Sequence, residues 1–225
     1  NVSDIFRNNY VSPRPSSTTL QIPTQGIGEW CHGTYCPEIN DSVFRSLAVG
    51  DRFDVEGIPF ATPQHGKNIA FVSLWDNYPS ALTIPVKAQK ASVAHILLAG
   101  STNHMQTHMD NAIIIANYKD GTSDTLHLIP PFNYCPIEQD FYVDGKAFQT
   151  VEPRPVRICL ATGTVSRNLG TALSIQSDEV YGREIPGGAA QLLSMPLSPS
   201  KKLHSFTLIP LSNDIVVGIM GITLR

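Results

Sequence analysis

A chain of 225 residues is long enough for one large all-β domain and can bury a core without metal or disulfide staples. Charged residues are only 16% of it, the formal net charge is −3 and no basic cluster occurs, which argues against a nucleic-acid partner held by its phosphates. No run of about 18 apolar residues occurs, so no membrane-spanning helix is expected.

Residues 1–40 are rich in Ser, Thr, Pro and Asn, and only Thr18-Thr19-Leu20-Gln21-Ile22 alternates like a strand. This stretch reads as an N-terminal arm laid on the rest of the chain, delivering Trp30, Cys31 and His32 to it. The first residue is Asn, so an upstream segment is expected to have been removed or the chain to be cut from something longer. The cysteines are Cys31, Cys36, Cys135 and Cys159, without the paired spacing of a zinc site. Free, partly buried thiols are the ordinary reading; a Cys31–Cys36 disulfide in an oxidising compartment is the alternative.

Residues 41–225 read as a single domain. Asn40 or Asp41 can cap a short helix over 42–47, ended by Gly50, the one helix expected. Strands are then expected at 53–55, 58–61, 68–74, 80–86, 92–99, 111–118, 125–129, 156–161, 189–196, 204–210 and 215–224. Asp120-Gly121 supplies the positive-φ residue of a hairpin between two of them. Ser212-Asn213-Asp214 reads as a final hairpin turn, and residues 164–188 as an irregular insert. With 17 prolines and no repeat, the pattern gives an all-β antiparallel β-sandwich with a long N-terminal arm.

Asn40-Asp41-Ser42-x-x-Arg45, Gly57-Ile58-Pro59-Phe60, Leu82-x-Ile84-Pro85-Val86, the run from Ala91 to Gly100, Tyr118-Lys119-Asp120-Gly121 and the ending from Val216 to Leu224 resemble galactose-binding-like jelly-roll modules that accompany glycoside hydrolases. The blocks Gly26-Ile27-Gly28-Glu29-Trp30-Cys31-His32 and Trp75-Asp76-Asn77-Tyr78-Pro79 resemble more closely the C-terminal region of a Bacteroidetes family labelled DUF4450. That resemblance implies a jelly-roll accessory domain, periplasmic or secreted, of a carbohydrate-processing protein. Its implied partners are carbohydrate or a catalytic domain of the same polypeptide.

Read from the residues themselves, ligand contacts would come from Trp75 with Asn77 and Tyr78, and from Trp30, because an indole can stack on a sugar face while its N–H bonds a hydroxyl. Plugging a sheet edge is the structural alternative for each. The loop from Ser101 to Asn111 adds Asn103, His104 and Asp110, and Tyr134 lies near further acids. His104 and His108 are spaced for a metal only if helical, and no H-E-x-x-H follows. No cofactor is expected, a structural calcium on Asp110 or Asn111 being the one ion those oxygens would suit. Glu138 and Asp140 would share a face in extended backbone, the single carboxylate pair that a glycosidase reading could use. No Gly-x-Ser-x-Gly occurs, and Gly26-x-Gly28 lacks the strand and helix of a phosphate loop. A non-catalytic accessory domain is therefore the functional expectation, binding glycan weakly or buttressing a catalytic neighbour. A stand-alone glycoside hydrolase or metal-dependent enzyme using loop carboxylates or His104 and His108 is the alternative.

Overall fold

The computed structural model describes residues 39–65, 67–74, 78–102, 106–141, 143–146, 148–175, 184–213 and 215–225. The arm lies outside them apart from Ile39 and Asn40. Helix α1 (Ser42–Ser46) begins where Asn40 Oδ1 accepts the Ser42 N–H at 3.0 Å. Asp41 does not cap it by side chain but accepts from Arg45 Nε and Asn68 Nδ2, each at 2.8 Å. Strands β1 (Arg52–Val55) and β2 (Ile58–Ala61) form a hairpin through Glu56 and Gly57, both at positive φ (52° and 76°). Two positive-φ residues make the turn whose twist matches paired strands.

Eight further strands build the sandwich: β3 (Ala70–Ser73), β4 (Leu82–Gln89), β5 (Val93–Ser101), β6 (Ala112–Tyr118), β7 (Ser123–Leu128), β10 (Ala189–Pro196), β11 (Leu203–Pro210) and β12 (Val216–Leu224). They pair as nested antiparallel ladders, β6 with β7, β5 with β10, β4 with β11 and β3 with β12. The expected Asp-Gly turn is the apex of that nest, with Gly121 at φ 83°. Cross-pairing of β12 with β5 and of β11 with β6 closes two sheets. Ladders nested in this way and shared between two sheets are the topology of a jelly roll.

Ser212 and Asn213 do not turn a hairpin, because β11 lies in the four-stranded sheet and β12 in the six-stranded one. The connection crosses from one sheet to the other. Residues 164–188 are not wholly irregular either: β9 (Val165–Ser166) extends β8 (Val156–Cys159) at the edge of the larger sheet. A second helix, α2 (Leu169–Ala172), is capped by Asn168, whose Oδ1 accepts the Thr171 N–H at 3.0 Å.

Phe206, Leu208, Ile114, Ile96, Leu98 and Val217 fill the space between the sheets. The other face of the larger sheet is buried as well, beneath Phe44, Phe53, Val55, Phe60 and Ile137. Double burial explains the unbroken apolar run Ile96-Leu97-Leu98-Ala99 in β5, a pattern alternation alone does not produce. Cys135 and Cys159 are free, buried thiols, whereas Cys31 and Cys36 lie outside the described residues. Among the described residues no helix is long and apolar enough to cross a membrane.

Candidate functional site

β3, β5 and β11 end, and β4, β6 and β12 begin, at one end of the sandwich. The loops there are the ones singled out from sequence. Trp75, Asn77, Asn103 and His104 lie outside the described residues, as does Trp30. The residues that flank them define the end face. Asn111 ties the β5–β6 loop together: its amide donates to the carbonyls of Gln106 (2.8 Å) and Met109 (3.1 Å), and its oxygen accepts from Thr102. Ser212 Oγ donates to the Asp110 carbonyl at 2.9 Å, joining the sheet-crossing loop to it.

Tyr78 is half-buried and packs edge-on against Phe71, ring centroids 4.9 Å apart, on the outer face of the larger sheet. Burial pushes its phenol up to about 12. Tyr134 is in the core, with its hydroxyl donating to the Ser101 carbonyl at 3.0 Å. Its ring occupies the space above Gly100, where a Cβ would fall 1.9 Å from the hydroxyl oxygen. A strand glycine here serves close approach, and Tyr134 presents nothing to solvent. Asp110 is surface-placed, 3.0 Å from His127 Nδ1. His108 packs edge-on against Phe132, ring centroids 4.9 Å apart. Among the described residues no three His, Cys, Asp or Glu side chains converge on a metal-sized site.

Among the described residues this end exposes three aliphatic side chains, Leu74 at 43%, Met109 at 47% and Leu211 at 45%, alongside the polar His108 and Asn213. These three were not singled out from sequence. An isolated aliphatic beside a turn carries no signal until the fold brings it to one end with others.

Beneath the end face runs a buried polar network that was also missed. Arg157, on β8, is fully buried. Its guanidinium donates to the Pro136 carbonyl (2.9 Å), the Ala189 carbonyl (3.2 Å), the Gln139 carbonyl and Cys135 Sγ (2.9 Å). Asp140 Oδ1 lies 4.0 Å from it, and Asp140 Oδ2 accepts the Gly170 N–H at 2.6 Å. One cation thus pins residues 135–140 to β8 and β10. Glu138 is 6% exposed and Asp140 3%, so the pair considered for acid–base work sits in the interior. Burial, with Glu184 nearby, raises the Glu138 carboxyl to about 7 against the pull of Arg157, and its Oε2 has no hydrogen-bond partner. Burial likewise raises the Cys135 thiol to about 12, which keeps it protonated and inert.

Compared with known proteins, no family model, no curated protein and no solved structure matches the chain.

Proposed function

We propose that this chain is a non-catalytic accessory sandwich of a carbohydrate-processing protein, whose loop end packs on a neighbouring catalytic domain. The carbohydrate context rests on the resemblance of the Gly26–His32 and Trp75–Pro79 blocks and of the module-like motifs. One observation favours buttressing over glycan binding: among the described residues of the loop end, Tyr134 is buried and Tyr78 packs on Phe71, while Leu74, Met109 and Leu211 face out. A sugar site needs an exposed aromatic face with hydrogen-bonding groups around it. Aliphatic side chains on a tied loop end suit contact with another protein surface.

The test is hydroxyl-radical footprinting of the chain alone and within its full gene product, read at Met109, Leu74 and Leu211. Buttressing requires strong protection of all three in the longer protein. Equal oxidation in both sinks it. A glycan-panel titration with Trp75→Ala as control gives the other arm: saturable binding abolished in a folded variant would establish the glycan-binding role instead.

A further inference from the structure

We infer that the open edge of the sandwich between β4 and β12 is a docking groove for an extended strand of a second polypeptide. Strand β3 pairs with β12 only from Val216 to Ile219, yet β12 runs on to Leu224. Along residues 220–224 no described strand continues that ladder; β2 lies against the outer face there instead, its Pro59 carbonyl accepting from Thr223 Oγ1 and the preceding Gly57 carbonyl from Arg225. The gap is a cleft of about 460 Å³, with Ile84 and Val86 of β4 on one wall, Ile219 and Ile222 of β12 on the other, Ile69 at its end and Lys67 on its rim.

Main-chain geometry makes a strand the matching occupant. Val93 and Arg225 exchange both of their N–H···O=C bonds, each 3.0 Å, so they form a hydrogen-bonded antiparallel pair. Alternation then makes Thr223·His95 and Gly221·Leu97 hydrogen-bonded pairs in the same ladder. Ile222 and Leu224 consequently turn their N–H and C=O groups away from β5, toward the open edge. No described strand pairs with them there. The opposite wall offers little competition, because β4 carries Pro85, which cannot donate, with Lys87 and Lys90 after it.

A guest strand would thus bond to β12, place alternate aliphatic side chains between Ile84, Val86, Ile219 and Ile222, and set an acidic residue against Lys67. This is strand addition with pockets for alternate residues. It lies apart from the loop end and does not depend on the buttressing role.

Amide exchange at Ile222 and Leu224 tests it, with an acetylated nonapeptide of alternating isoleucine and threonine carrying one aspartate as the probe. In the free chain these amides exchange freely, and saturating peptide slows them by about tenfold or more. Ile84→Glu abolishes the effect, and if that variant misfolds, an all-threonine, aspartate-bearing peptide must give no protection with the unaltered chain. Protection already present in the free chain would mean that the chain's own residues fill the groove, and that overturns the proposal. So does exchange unchanged by the peptide.

Discussion

The β6–β7 hairpin closes through residues a few positions apart, whereas the layer around Arg157 joins positions from Tyr134 to Ala189. In the hairpin, Tyr118 and Thr122 bond across the turn at 3.0 Å, and Asp120 Oδ1 accepts from both the N–H and the hydroxyl of Thr122. Every one of these groups can form its bond without the rest of the molecule. Around Arg157 the reverse holds. Four acceptors from two separate segments and a neighbouring carboxylate meet one guanidinium, and none is near another merely by sequence except within residues 135–140. The contrast separates local conformational preference from the cost of burying charge.

Arg157→Met is the most damaging single change predicted. Removing one partner of a buried ionic network leaves the Asp140 carboxyl and several carbonyls facing an apolar side chain, a loss of about 3–5 kcal/mol. Urea denaturation should show it, and Arg157→Met with Asp140→Leu should recover a substantial part. A single-variant loss below about 1 kcal/mol would mean the network is no more than a surface-type pairing.

Glu138 offers the next largest effect. Its carboxyl is held near 7 in the folded chain against about 4.5 for the free group. The folded state therefore binds this proton more tightly than the unfolded state. The resulting stabilisation is fully present below pH 4.5 and is lost as pH rises to 7 and beyond, on the order of 3 kcal/mol across that window. Glu138→Gln should flatten this part of the stability profile and make the variant the more stable protein at pH 8. A wild-type profile that the substitution leaves unaltered would show that Glu138 does not carry the pH dependence.

Neither feature was legible in the sequence, for a physical reason. Alternation marks positions 156–161 as a strand, and a strand places Arg157 on one face, but only the partners on other segments make that face interior. Glu138 and Asp140 were singled out as a pair, and extended backbone does bring such residues to one side. Nothing in the local pattern says that the side is buried under residues 184–189. The strands themselves were legible because their periodicity and turn residues are local, down to the positive-φ glycine of the β6–β7 turn. The closing loop shows the limit: Ser212 and Asn213 are turn residues that read as a hairpin, yet the chain crosses to the other sheet there, because which sheet receives β12 is decided by packing.

Gly100→Ala tests the boundary between the two regions. Its Cβ would lie 1.9 Å from the Tyr134 hydroxyl oxygen, so the ring or β5 must shift. Overpacking of this kind costs about 1–3 kcal/mol. Coupling it with Tyr134→Phe, which removes the blocking oxygen, should return part of that loss. Full additivity of the two changes would place the clash elsewhere.

Gly121→Ala gives the smallest effect and isolates the hairpin. Gly121 sits at φ 83°, and a Cβ there would meet nothing within 4 Å. The cost is therefore conformational alone, about 1 kcal/mol, because an L side chain crowds its own backbone at positive φ. Since this turn is the apex of the nested ladders, its closure should already be formed at the folding transition state. Most of the lost stability would then appear as slower folding, with unfolding hardly changed. Stopped-flow refolding reads the partition directly. A variant that instead unfolds faster at an unaltered folding rate would place closure of the apex after the rate-limiting step, and the local strength of the hairpin would then owe nothing to its position in the fold.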